Sequence, residues 1–429
     1  MDSGGVCGSP ATLWQARLHA DSAQALYVHV PFCVRKCAYC DFSSWATARD
    51  DSLMDRYVRS LVDRIGEAVH VGLLEKCETA YVGGGTPTML GAACLGDLAA
   101  SLRAAAPGIS ELTCEANPDS LSDEVLSALY DVNVTRLSIG VQSLQDEELE
   151  ALGRLHDAHV ARARVAAAVS MGFDVSVDLM CAVPLQTDES WRQTLGAAIG
   201  LGVGHVSVYP LQIEDGTELA RMVGDDEPSW NAPEVQASRM DQAQHALEAA
   251  GFARYEVASY ALPGKACQHN QSYWTARPYL GLGTGASSML TSEGYDRLRS
   301  LSGSLPKLPD RAARVRLTMT SPRDDFARAA GFEGLSFDVE CLDDAQAAAE
   351  DLMLGMRMTK GIGPGLVDHA RQALGKKKVD DALASACKRG LATWRDGRFV
   401  PTHDGWLLGN ELYGMLWDLA DGEVRELST

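Results

Sequence analysis

The chain has 429 residues, 46% hydrophobic and 22% charged, which allows one large domain with a smaller one and requires no extensive disorder. A formal charge of −20 excludes a general nucleic-acid or anionic-membrane surface, because binding phosphate draws on clustered Lys and Arg. No apolar run reaches the roughly eighteen residues of an integral membrane segment, no basic-then-apolar export signal opens the chain, and eleven cysteines without a small-domain framework point to a reducing cytoplasm.

Residues 1–24, rich in Gly and Ser around Cys7, read as a flexible tail. Leu26, Val28 and Val30 then alternate with Tyr27 and His29 in a short buried strand that Pro31 stops. Cys33, Cys37 and Cys40 follow with the spacing C-x3-C-x2-C. Three thiolates on one short loop suit three irons of a cubane [4Fe-4S] cluster and leave the fourth iron open for an outside ligand. A zinc knuckle is the alternative. It wants four ligands, usually two C-x-x-C pairs, and here only Cys37 and Cys40 form one, so His29 or Asp41 would have to be drafted. Cys77, Cys94, Cys114, Cys341 and Cys387 sit in apolar or helical surroundings and read as plain core thiols.

Further along, Met54, Tyr57, Val58, Leu61, Ile65 and Val69 recur at three and four, so residues 51–70 are a predicted amphipathic helix. Strands are expected at 79–82, 111–115, 136–141, 174–180 and 205–210, with helices at 90–105, 120–130, 157–171 and 189–201 between them. Six β-runs alternating with helices are the pattern of parallel βαβ units, and they predict an α/β fold of the partial (β/α)6 barrel type. In barrels of this kind chemistry sits at the C-terminal ends of the strands. The cysteine loop, GGGTPT (83–88), Glu115-Ala116-Asn117-Pro118, Gly140-Val141-Gln142-Ser143, Asp178 and Tyr209 all fall there. The glycines permit close backbone approach, though a tight turn needs no more than that. Glu115, Gln142, Arg154 and Asp178 are the polar groups available to a ligand; helix capping or surface ion pairing would also explain them.

The order and wording of these motifs resemble the radical S-adenosylmethionine (SAM) superfamily. Within it, HVPFC-x3-C-x2-CDF, GGGTPT, EANP, GVQS, LGRLH, DLM and YEVASYA are similar to the family of oxygen-independent coproporphyrinogen III oxidase and its relatives, the HemW-type heme chaperones. The resemblance covers residues 26–285, with a weaker echo at 350–363. It implies a [4Fe-4S] cluster on Cys33, Cys37 and Cys40. It also implies SAM contacts from Tyr27, Tyr39, Gly84, Gly85, Thr86, Glu115, Gln142, Arg154 and Asp178. A second SAM near Gln212 and Ser287 belongs to the oxidase branch. Where that branch carries a further cysteine two residues after the third ligand, this chain has Phe42, and only about 25 residues precede its first strand.

His269-Asn270-Gln271-Ser272-Tyr273-Trp274 resembles the HNxxYW motif of the heme chaperones, and histidine is a natural axial ligand of heme iron, though a hydrogen-bonded loop histidine is the plainer reading. The resemblance therefore implies a cytoplasmic heme chaperone: heme or porphyrin as ligand, heme-accepting apoproteins as partners, and an electron donor such as flavodoxin or ferredoxin. An oxygen-independent coproporphyrinogen III oxidase or a SAM-radical methyltransferase on the same frame are the enzymatic alternatives. Three stretches depart from the pattern, one of them residues 300–323, which match it poorly. DLMCAVPLQT stands where the family reads roughly DLIYGLPGQT, so Cys181, Ala182 and Leu185 replace an aromatic and two glycines. Gly285-Ala286-Ser287-Ser288 lacks the histidine of a GAHS motif.

The barrel domain is expected to span 25–298 and a smaller α+β domain, winged-helix-like, 299–429. A Ser/Pro/basic run at 301–323 reads as a connection. A helical module starts at 350–357, a β-wing covers 390–402 and a helix 405–419. The wing reads as a packing module rather than a DNA reader, and Lys376-Lys377-Lys378 as a solvated loop.

Overall fold

The computed structural model describes residues 21–224, 228–420 and 424–427. Most of the expected N-terminal tail, Cys7 included, lies outside the described residues. Strands β1 (Ala25–Val30), β2 (Thr79–Gly84), β3 (Glu111–Ala116), β4 (Arg136–Gln142), β5 (Asp174–Cys181) and β6 (His205–Pro210) lie side by side in chain order. Each is parallel to the next. Their crossovers carry helices α1 (Ser52–His70), α2 (Gly91–Ala105), α3 (Asp123–Asp131), α4 (Ala158–Ser170) and α5 (Asp188–Gly200). Local chemistry sets these helices. Asp51 accepts the Leu53 N–H at the start of α1, whose Met54, Tyr57, Val58, Leu61 and Ile65 are buried, and Thr187 and Ser190 close a capping box on α5.

The sheet continues past the barrel strands on both sides. Beyond β6 come β8 (Ser259–Ala261) and then β7 (Ala253–Arg254), both antiparallel. On the other side β9 (Tyr279–Leu282) pairs parallel with β1. Then β10 (Ser287–Thr291), β11 (Arg314–Met319), β12 (Phe337–Leu342) and β13 (Arg425–Leu427) follow antiparallel. Among the described residues these strands form one open sheet, so the six parallel strands are a partial barrel within a larger sheet.

The run expected as a connection holds β11, hydrogen-bonded between β10 and β12. The boundary expected at 298/299 thus falls between paired strands. Arg314 and Arg316 made this strand look like linker, but both are paired: Arg314 donates to Glu350 at 2.5 Å and Asp351 at 2.6 Å, and Arg316 to Glu350 at 2.9 Å. Glu350 and Asp351 sit on α8 (Asp344–Gly355). A second core begins on that helix, with Leu352, Met356, Ile362, Leu383, Phe399 and Leu416 buried together. The wing is a hairpin of Ala392–Arg395 with Arg398–Pro401, and the helix expected at 405–419 is two, His403–Leu407 and Gly409–Trp417.

Arg314 is the buried cation that ties α8 to the sheet, and its removal leaves two carboxylates without it. Arg314→Ala is expected to cost about 3–5 kcal/mol, read as a lowered urea midpoint. A change under about 1 kcal/mol would show that the network contributes little.

Candidate functional site

The cysteine loop is held from several directions. Phe32–Cys33 pairs with Trp45–Ala46, the Thr47 N–H donates to the Cys33 carbonyl at 2.8 Å, and the Cys40 N–H to that of Cys37 at 3.2 Å. Ala38 packs into a small cluster with Leu152, Met180, Val183, Leu211 and Leu219, and its N–H and carbonyl bond Leu152 and Leu219. The three thiols are free and half-buried. Burial pushes Cys33 and Cys40 upward, so the bare loop holds protonated sulfur there. Among the described residues no group of three His, Cys, Asp or Glu side chains is arranged to hold a single metal ion. Three thiols on one loop, each free for its own iron, are the donor set a cubane uses.

These sulfurs open onto a cavity of about 490 Å³. Every residue implied for the cluster, for SAM and for heme lines it: Cys33, Cys37, Cys40, Tyr27, Tyr39, Gly84, Gly85, Thr86, Glu115, Gln142, Arg154, Asp178 and His269. Gln212 and Ser287 do not. The Gln212 amide is exposed, 3.5 Å from the Pro210 carbonyl, and Ser287 pairs with Thr318 at 3.0 Å.

The glycine run provides close approach. Gly84 has φ +113°, and a side chain at Gly85 would come within 2.7 Å of the Phe32 carbonyl oxygen. Its neighbour Glu115 accepts from the Tyr81 hydroxyl at 2.8 Å and the Gly84 N–H at 3.0 Å. Arg154 donates to Asn117 at 2.9 Å, the Gly140 carbonyl at 2.7 Å and the Cys37 sulfur at 3.5 Å, while its buried Nε has no partner. Gln142 sits at φ +65° on a register shift of β4 against β5. Asp178 lies inside β5 rather than at its end, because the strand runs on to Cys181. Ser138 donates to it at 3.2 Å. An orphaned guanidinium nitrogen, a glycine cradle and three free thiols fit a cluster with SAM beside it. Asn117, Tyr81 and Ser138 were not among the expected site residues. The signal for Ser138 and Asn117 was the alternation of polar residues, Ser138-x-Gly140-x-Gln142 and Thr113-x-Glu115-x-Asn117, on strands whose other face is apolar.

His269 lies at the opposite end of the cavity. Its helix α9 (Gln268–Trp274) closes the N-terminal ends of the strands, where Glu111 accepts the Gln268 and His269 N–H groups at 3.0 and 2.9 Å. The ring is buried. Nδ1 pairs with the Thr79 hydroxyl at 3.0 Å and Nε2 with that of Tyr273 at 2.9 Å, and the ring stacks on Tyr81. Burial lowers its pKa to about 3, so the ring is neutral.

The altered loop after β5 keeps a glycine-type backbone. Ala182 has φ +55° and Leu185 φ +65°, and Leu185 is 65% exposed. Replacing Leu185 with Gly is expected to raise stability by roughly 0.5–1 kcal/mol in urea unfolding, since left-handed strain of about 1–2 kcal/mol is relieved at some entropic cost. No gain would show that the loop holds leucine without strain. Burial first, with Asp178 nearby, raises Glu115 from 4.5 to about 7, and burial raises Asp178 from 3.8 to about 6. Unfolded carboxylates release their protons near pH 4, and these release theirs only near 6 and 7, so the folded chain holds extra protons and stability falls as pH rises across that window. Urea unfolding of cluster-free protein is expected to show that fall between about pH 4 and 7, and a smaller one for Glu115→Gln. An equal fall in both would remove Glu115 as its source.

The radical SAM superfamily profile matches residues 27–198. The heme chaperone HemW of Mycobacterium tuberculosis is 33% identical over 390 residues, 90% of this chain and 92% of that protein. HemW of Escherichia coli is 35% identical over 273 residues, covering 62% of this chain and 70% of its own length. The solved structure of coproporphyrinogen III oxidase (HemN) from Escherichia coli superposes with a TM-score of 0.74 over 95% of this chain and 93% of that one, at 21% identity, a likeness of fold. The spacing of the cysteines, the strand-end motifs and these relatives agree: the chain belongs to the HemN-like radical SAM proteins, among the family of HemW.

Proposed function

We propose that this chain is a heme chaperone that binds heme and passes it to apoproteins in the cytoplasm, with a [4Fe-4S] cluster and SAM as its resident groups. The observation that carries the reading is the identity with HemW of Mycobacterium tuberculosis across 92% of that protein's length. Support comes from the HNxxYW stretch, which forms helix α9 and presents His269, Asn270 and Tyr273 to the cavity.

Cys33, Cys37 and Cys40 are the proposed cluster ligands. Tyr27, Tyr39, Gly84, Gly85, Thr86, Glu115, Gln142, Arg154 and Asp178 are the proposed SAM contacts. When bound, these groups supply one-electron reduction of SAM, fed by an outside donor such as flavodoxin or ferredoxin. The protein's own residues orient them. Glu115 and the glycine backbone would face an amine, and Arg154 holds the cysteine loop and would offer its free Nε to a carboxylate. His269 is the proposed heme ligand. Its neutral ring has the protonation state that ligation needs, and Nε2 would exchange the Tyr273 hydroxyl for iron.

Anaerobic reconstitution is expected to yield brown protein with about four iron and four sulfide per chain, lost when all three cysteines are replaced by Ser. Heme titration is expected to shift the Soret band, with affinity at least about tenfold weaker in His269→Ala. Turnover of coproporphyrinogen III with matching 5′-deoxyadenosine, or a Soret response unchanged by His269→Ala, would overturn the chaperone reading.

A further inference from the structure

The cavity does not end at the SAM layer. It continues down the inside of the partial barrel to the first residues of the strands, where Arg136, Thr113, His205, Cys267 and His269 line it. Barrel interiors at this depth are ordinarily filled by branched apolar side chains. Here one of the floor residues is an arginine with 3% of its surface exposed.

That arginine is poorly matched. Its Nη2 donates to the Lys265 carbonyl. Its nearest carboxylate, Glu111, is 3.4 Å from Nε without hydrogen-bond geometry, and both Nε and Nη1 are left without a hydrogen-bond partner. Glu111 cannot turn to it freely, because its oxygens already accept the Gln268 and His269 N–H groups and the Cys267 thiol. Lys265, the neighbouring cation, is paired with Asp174. Beside Arg136 across the β3–β4 register stands Thr113, fully buried, whose hydroxyl also lacks a partner. Glu111 offsets the charge, but a buried N–H without an acceptor still carries a desolvation cost, and a charged N–H with a hydroxyl alongside offers one donor to each oxygen of a carboxylate.

We propose that the cavity floor is a carboxylate subsite, with Arg136 Nη1 and the Thr113 hydroxyl as its donors. Its occupant is a propionate arm of heme, which rests on the chaperone reading, or a free small carboxylic acid of the same chemistry. The floor adjoins His269, so a macrocycle held there would place an acidic edge against Arg136.

The test is a Soret titration of reconstituted full-length protein with hemin and with hemin dimethyl ester, whose acid groups are blocked. Wild type is expected to prefer hemin by about 10–100-fold, the equivalent of a charged hydrogen bond of roughly 1.5–3 kcal/mol, and Arg136→Gln to lose that preference while keeping its cluster and SAM affinity. Thr113→Val, which keeps the charge, is expected to weaken hemin about threefold and covers the case in which the arginine variant does not fold. Crystals grown in sodium propionate separate the two sources. Equal binding of hemin and its ester with propionate density on Arg136 assigns the subsite to a free acid. Equal binding with only water there overturns the proposal. Protein that binds no heme at all sinks the chaperone reading, and the propionate density then judges the subsite alone.

Discussion

The structure depends on an alternation that gives each barrel strand two incompatible faces. On β4, Leu137, Ile139 and Val141 are fully buried in the main core, while Arg136, Ser138, Gly140 and Gln142 line the cavity. Because successive side chains in a strand point to opposite faces, a shift of one residue would exchange these sets and destroy core and cavity together. The hydrophobic stabilisation of the outer face fixes the register, and through the register it fixes the polar interior. Burial of that interior then sets its electrostatics: Glu115 and Asp178 are raised, and His205 and His269 are held neutral.

This arrangement makes the site two-ended. The cysteine loop, the glycine run and Arg154 gather at the C-terminal ends, tied by backbone bonds such as Gly85 N–H to the Val30 carbonyl at 2.8 Å. Helix α9 closes the other end, its first N–H groups fixed by Glu111 and its histidine by Thr79, the first residue of β2. Five strand steps at about 3.3 Å separate Thr79 from Gly84, so the ends lie roughly 17 Å apart. A ligand on His269 and one on the cysteine loop would therefore be neighbours along the barrel interior rather than partners in direct contact.

Much of this was legible in particular residues. The three cysteines, residues 84–87 of GGGTPT, Glu115 and Gln142 all line one cavity, as their positions near strand ends implied. The loop at 182–185 was legible in part. Ala182 and Leu185 stand where the family pattern has glycine, yet both keep positive φ, and Ala182 is held there by its N–H donating to Gln186 at 2.8 Å and by Asn231 donating to its carbonyl at 2.9 Å. Strand β11 was misread because its charged residues looked solvated; the acids that bury Arg314 lie on α8, more than thirty residues away in sequence. Gln212 and Ser287, grouped by resemblance, stay outside the cavity.

By itself the sequence determined the alternation of strands and helices, the cysteine spacing and the polar positions near the strand ends, since these follow from local periodicity and from residue chemistry a few positions apart. Only the tertiary structure decided that His269 caps the far end with both ring nitrogens engaged, that Arg136 stands at the floor with open donors, and that the sheet runs on through β11 and β12. Those facts depend on which side chain from a distant segment reaches a given polar atom, and sequence periodicity carries no record of such pairings.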